Sequence, residues 1–264
     1  MSNMTPSSHP PSLQLEELTA PEIKQLLEEG WSRVIVPLGA TEQHGPGLPQ
    51  GVDSWHGRET ALRAARRLGK VLVAPAVNLG YSPEHMAFAG SLSLRRETLA
   101  MLLEDVAESL ARGGFTFVYF WFGHGGDWAV AKDCLPPLRD RWPGCRVAFT
   151  RDVAAYVAAT WDRYPATEGI APEVAGSHAG EFEASMLAAI RPDLLRRDAL
   201  AAGDPRPLDE IAEPMMRDGI HTVSANGVLG DQRPADAARG SRYLDMLAEY
   251  LVEDFTRELN SEPT

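Results

Sequence analysis

The residues of this sequence that could do chemistry fall in short runs. Glu42 and His44 flank Gln43, and Asp53 follows a little further on. Glu84 and His85 are adjacent. His124 lies in a Gly-His-Gly-Gly run at 123–126. A later run reads Ser177-His178-Ala179-Gly180-Glu181-Phe182-Glu183. Carboxylates and imidazoles are the donors that zinc, manganese or iron(II) accept. Each run has a plainer reading by itself. A Glu-x-His pair is common, a glycine-rich turn can carry an incidental histidine, and Ser177 to Glu181 reads equally as a helix start with an acid favouring the dipole. The information lies in their joint placement.

That placement follows from the elements. Thr19 to Glu29 reads as a helix with Ile23, Leu26 and Leu27 on one face, and Thr19 and Glu22 have capping-box spacing. Arg33 to Pro37 is a β-rich run that ends at Gly39. Ser54 to Leu68 has helical spacing, and Lys70 to Ala76 reads as a second strand. Arg95 to Arg112 is a strong amphipathic helix stopped by Gly113-Gly114. Phe115 to Phe122 is nearly all apolar, as suits a central parallel strand covered on both faces. A helix to about Arg141 and a strand over Arg146 to Thr150 follow. Glu168 to Gly180 reads as loop, Glu181 to Ile190 as helix, Pro205 to Asp231 as irregular chain, and Ala235 to Leu259 as a closing helix. Strands alternating with helices predict an α/β fold with a mostly parallel sheet. In such sheets ligands bind beyond the carboxyl ends of the strands. Glu42, His44 and Asp53 follow one strand and His124 another, so one shared site is expected.

Composition narrows the class. The chain has 264 residues, 37 acidic against 25 basic, and a formal net charge of -12. That disfavours nucleic-acid binding, which needs clustered Lys and Arg, and it fits a cytoplasmic protein kept soluble by charge. Cys134 and Cys145 are too few for a disulfide framework, and no CxxC occurs. Residues 1–12 are Ser- and Pro-rich without the features of a signal peptide, and are expected to be a disordered tail before one domain over 13–264. No apolar stretch is long enough to span a membrane.

The ordered set of motifs resembles the creatininase (creatinine amidohydrolase) family. The carrying segments are Pro37-Leu38-Gly39-Ala40-Thr41-Glu42-Gln43-His44-Gly45-Pro46, Leu48-Pro49 and Val52-Asp53. Then come Gly80-Tyr81-Ser82-Pro83-Glu84-His85, Gly90 to Leu94, Gly123 to Gly126, Ser177 to Glu183, and Gly227-Val228-Leu229-Gly230-Asp231. The resemblance implies a three-layer αβα sandwich with a dinuclear site for zinc and/or manganese, with iron(II) as another occupant. Glu42, Asp53 and His124 would hold one ion. His44, Asp53 and a further carboxylate would hold the other, with Asp53 bridging. In creatininase that carboxylate lies two residues after the histidine of the central loop, which is Gly126 here, so Glu181 is the expected replacement. His178 is expected as general acid/base, with Glu84 and His85 orienting substrate or supporting ligands. Asp127, Trp128 and Ser82 are the expected substrate contacts, and Trp121 and Trp161 are further wall candidates, with a core position favoured for Trp121.

The implied activity is hydrolysis of a non-peptide amide C–N bond of a small molecule, a cyclic amide first, by a water activated between the metals. A peptidase, a formamide or a cyclic-ketone hydrolase, and a catalytically silent metal- or ligand-binding member are the alternatives. The resemblance also implies a homo-oligomer, often a hexamer. Three positions depart from the family pattern: Gly47 replaces a loop histidine, Asp127 replaces an asparagine, and Ala184 replaces a threonine. His56 is a possible stand-in for the lost histidine.

Overall fold

The computed structural model describes residues 10–261, so most of the expected N-terminal tail lies outside the described residues. Four parallel strands form its centre: β1 (Arg33–Leu38), β2 (Val71–Val73), β3 (Phe117–Phe122) and β4 (Arg146–Phe149), in the order β2-β1-β3-β4. β1 and β3 pair from Arg33 with Phe117 to Leu38 with Phe122. From β1 the chain goes outward to β2, then returns to build β3 and β4 on the other side. Strand order therefore reverses between β1 and β3, and the crevice beyond their carboxyl ends is the natural ligand position.

Helices cover both faces, as the all-apolar β3 requires. On one face lie α1 (Ala20–Glu28), α3 (Arg96–Arg112) and α4 (Gly125–Cys134). On the other lie α2 (Val52–Leu68), α8 (Glu181–Ile190) and α10 (Ala237–Asn260). Alternate residues of β3 feed the two cores: Val118, Phe120 and Phe122 pack with Leu99 and Leu103 of α3, while Phe117, Tyr119 and Trp121 pack with Leu247 and Phe255 of α10. The three-layer αβα arrangement is thus the consequence of a strand with no polar face.

Several local expectations are met. Thr19 caps α1, with its backbone N–H on Glu22 Oε2 at 2.7 Å, and α8 spans Glu181–Ile190. Others shift. α4 ends at Cys134 because Pro136 and Pro137 cannot continue it; a 3₁₀ turn follows instead of helix to Arg141. β2 stops at Val73, just before Pro75.

Two regions are helical where no helix was expected. Between β4 and α8 the chain forms α5 (Val153–Val157), a π-helical stretch (Ala158–Arg163), α6 (Tyr164–Thr167) and α7 (Pro172–Ala175). Within the expected irregular region, α9 (Leu208–Asp218) buries Ile211 and Met215. Its prolines mislead, because Pro207 occupies the N-cap and only Pro214 interrupts the hydrogen-bond ladder, while Gly219 ends it. No helix among the described residues is long and apolar enough to cross a membrane.

Candidate metal centre

Two close approaches set the site. Gly39 and Gly123 immediately follow β1 and β3, and both lie against the start of α2. A Cβ on Gly39 would meet Ser54 N at 2.6 Å, and one on Gly123 would meet Asp53 O at 2.4 Å. Asp53 is therefore on the first helical turn of α2, not in the loop, where a carboxylate also favours the helix dipole. The packing wedges it between the β1 loop and His124, the N-cap of α4.

The result is a buried set of donors. Asp53 Oδ1 lies 3.0 Å from His44 Nε2, and Oδ2 lies 3.6 Å from His124 Nδ1. His124 Nδ1 is 3.5 Å from Glu42 Oε2, and His44 Nε2 is 3.7 Å from Glu183 Oε2. Ligand atoms of Glu42, Asp53 and His124 lie within 4.8 Å of one another, as do those of His44, Asp53 and Glu183. The two triads share Asp53.

The outer nitrogen of each triad imidazole is anchored on a backbone carbonyl. His44 Nδ1 donates to Glu42 O at 3.1 Å, and His124 Nε2 to Tyr81 O at 3.2 Å. This leaves His44 Nε2 and His124 Nδ1 facing inward, as metal-holding imidazoles are normally oriented. Glu42 Oε2 and Asp53 Oδ2 are buried without hydrogen-bond partners. Two orphaned carboxylate oxygens facing imidazole nitrogens fit a cation between them.

Electrostatics tell the same story. Burial pushes the Glu42 carboxyl up to about 8. Burial opposes charge on His44 and His124 too, yet carboxylates around them (Asp53 foremost for His44, Glu42 for His124) raise both to about 10. Burial would raise Asp53, but His44 foremost, with His124, holds it well below the ordinary carboxylate range. Protons here balance carboxylates that divalent ions would balance otherwise.

Glu181 is a correction. Its carboxylate takes Arg239 Nε, the Ser185 hydroxyl and the Tyr243 hydroxyl on the α10 side of α8, and it belongs to neither triad. Glu183 replaces it, because residues two apart on a helix point about 200° apart. Gly126 is closed to any side chain: a Cβ there would lie 2.3 Å from Tyr81 O and 2.4 Å from His124 Nε2.

Asp127 and Ser82 do not meet the expectation of substrate contact, since both are fully buried and neither lines the cavity. Asp127 Oδ1 accepts Tyr81 N–H at 2.8 Å, and Tyr81 O in turn holds His124; Ser82 Oγ lies 3.2 Å from His124 Nε2. Both position a candidate ligand. Burial pushes the Asp127 carboxyl up to about 6.

Gln43 arranges the remaining histidines. Its Oε1 accepts Gly45 N–H, which points its amide nitrogen at His85 Nδ1 (3.0 Å) and Gly227 O (3.1 Å). His85 therefore carries its proton on Nε2, 3.4 Å from Glu42 Oε1 and 3.7 Å from Glu84 Oε1. Burial, with the positive His124 and His44, lowers His85 to about 3. His178 Nε2–H donates to Gln43 O at 2.8 Å, leaving Nδ1 as a lone pair 3.7 Å from Glu42 Oε1. Burial first, then the charge of His44, holds it well below the ordinary imidazole range. His178 also forms an overlapping donor set with Glu42 and His44.

A cavity of about 330 Å³ opens onto these groups. Trp128 and Trp161 line it as expected, whereas Trp121 is buried in the core. Tyr156, Val157, Leu208 and Met215, from the two unexpected helical regions, complete its walls. Only Glu183 among these missed residues left a trace in the sequence, as a second acid in the Ser177–Glu183 run.

A parallel αβα sheet with two carboxylate–imidazole triads at its switch point defines the class of an α/β protein with a candidate dinuclear metal site. The family model described as Creatininase: Creatinine amidohydrolase matches residues 16–255, and the chain belongs to the creatininase family. It is 34% identical over 239 residues to the mycofactocin precursor peptide peptidase of Mycobacterium ulcerans (strain Agy99), covering 88% of this chain and 87% of that one. It is 27% identical over 263 residues to the creatinine amidohydrolase of Pseudomonas putida, covering 94% and 97%. A solved manganese creatininase superposes with a TM-score of 0.75 at 24% identity over 95% of this chain and all of that one. A zinc–zinc type creatininase variant superposes at 0.73 and 23%, over 95% of this chain and 99% of that one. These likenesses establish the three-layer fold.

Proposed function

We propose that this protein is a two-metal hydrolase of amide C–N bonds whose substrate is a peptide. The observation that carries the reading is Asp53, buried between two donor triads with its second oxygen unpartnered. Glu42, Asp53 and His124 would hold one ion and His44, Asp53 and Glu183 the other, zinc or manganese by their oxygen and imidazole donors. Bound divalent ions supply Lewis-acid polarisation of a carbonyl and acidify water.

The chain's own residues do the rest. His178 Nδ1, neutral and lining the cavity, is placed to accept a proton and return it to the departing nitrogen. His85 Nε2–H steadies the Glu42 carboxylate, and Gln43 fixes the tautomers of both histidines. Aromatic and aliphatic walls exclude water and bind apolar substrate. The cavity, about 330 Å³, lies at the lower end of the range of about 300–1,000 Å³ found for small-molecule sites.

Four mycofactocin precursor peptide peptidases at 32–34% identity support the peptide reading. The near full-length match to a creatinine amidohydrolase supports a second reading, a cyclic amide. The test is metal-loaded protein, with and without chelator, on a mycofactocin precursor peptide, other apolar peptides, creatinine and related cyclic amides. Chelator-sensitive peptide cleavage is the expected result. Turnover confined to cyclic amides selects the second reading, and stoichiometric metal with no turnover on any substrate removes the hydrolase assignment.

A further inference from the structure

His56 has no part in the steps above, yet it lines the same cavity. It follows Asp53 by one helical turn on α2 and is 5% exposed. Both ring nitrogens are buried without hydrogen-bond partners. Asp53 Oδ1 is 3.8 Å from Nε2, beyond hydrogen-bond reach, and it already receives His44 at 3.0 Å. In either tautomer an imidazole has an N–H to place, and a buried donor without an acceptor is costly. The cavity's occupant can bring that acceptor.

A second set of donors faces the same space. α4 is 10 residues long, and its N-cap His124 puts no side chain on the first amides. Those amides have no partner within the helix. Gly125 and Gly126 line the cavity, and a Cβ on Gly125 would meet nothing within 4 Å. α2 packs closely on the loop that leads into α4, since a Cβ on Gly57 would lie 3.3 Å from Gly123 Cα.

The acceptor's charge can be decided. Glu42, Asp53, Glu84 and Glu183 line the cavity, Asp127 is buried in the first turn of α4, and no Lys or Arg among the described residues lines it. Glu84 and Asp127, which belong to neither metal triad, disfavour an anionic group beside α4, whereas a neutral carbonyl oxygen accepts the same hydrogen bonds without that penalty. We propose that His56 and the first amides of α4 form a subsite for a neutral backbone carbonyl oxygen of the substrate, distinct from the carbonyl of the bond that is cleaved. The subsite rests on the amide-hydrolase reading and specifies its substrate as a chain with at least two amides.

The test separates binding from turnover. Binding of N-acetyl-phenylalanine N-methylamide, with two amides, is compared with binding of N-acetyl-phenethylamine, with one, on manganese-loaded protein. Quenching of Trp128 and Trp161 in a stopped-flow instrument reads binding before turnover. Wild-type protein is expected to prefer the two-amide probe by about tenfold, the size of one good hydrogen bond. His56→Leu abolishes the preference and leaves metal content and one-amide binding unchanged, while His56→Gln, which keeps a donor, retains most of it. The proposal is overturned if wild-type protein shows no preference or binds neither probe, or if the preference survives in His56→Leu. Stronger binding of free N-acetyl-phenylalanine than of its N-methylamide also overturns it. An intact preference in a protein that hydrolyses no amide leaves the subsite standing and removes the hydrolase reading instead.

Discussion

The side chains around Asp53 divide into those that touch the proposed metals and those that hold the ligands in place, and substitutions distinguish the two. Asp53→Ala removes the only group shared by both triads, so metal analysis is expected to show loss of both ions. Retention of full occupancy would exclude the bridge. Glu183→Gln is expected to weaken one ion and spare the other. Glu181→Gln has the opposite signature. It leaves metal content intact but disturbs the buried contacts to Arg239, Tyr243 and Ser185, at a cost of about 1–3 kcal/mol readable in urea unfolding. His178→Ala is expected to keep both metals and lower kcat by about 10²–10⁴, the span of general acid–base catalysis. Unchanged turnover would return His178 to a supporting role.

At the scale of elements, the site depends on helices that carry no ligands. α9 packs Ile211 and Met215 against Ile220 and Leu229 in a small cluster apart from the two main cores, and its Leu208, Met215 and Met216 wall the cavity. A helix held by so few contacts can open locally without unfolding the sheet. Ile211→Ala is therefore expected to raise amide exchange over residues 208–218 and to raise KM, with metal content unchanged. Equal exchange in the mutant and the wild type would show that α9 is held by something other than this cluster. The π-helical stretch over Ala158–Arg163 contributes Thr160 and Trp161 to the same cavity, in keeping with the frequent occurrence of such bulges at functional sites.

The whole molecule is built around β3, whose alternate residues supply two separate cores. Phe120 is fully buried on the α3 side. Phe120→Ala is expected to cost about 3–5 kcal/mol, measured as a lowered urea midpoint, and to loosen the β1–β3 crevice that places Glu42 and His124. We propose a homo-oligomeric assembly, which native mass spectrometry tests directly; a single copy under native conditions would remove it.

Much of this was legible from the chain itself. β3 is a continuous apolar run, and the alternation of strands with helices implies a parallel sheet with a crevice at its switch point; both are local patterns, written in residues close together in sequence. The donor types were equally plain in Glu42, His44, Asp53 and His124. Only the tertiary structure chose Glu183 over Glu181. α8 is apolar on two sides, with Phe182 and Met186 in one core and Ala184, Leu187 and Ala188 in another, so its sequence does not say which acid faces α10 and which faces the sheet's crevice. The same holds for Asp127 and Ser82: their residue types suit substrate contact, but packing buried them behind His124. The cavity walls from α5 to α9 come from contacts between segments far apart in sequence, and no pattern within either segment encodes such an encounter.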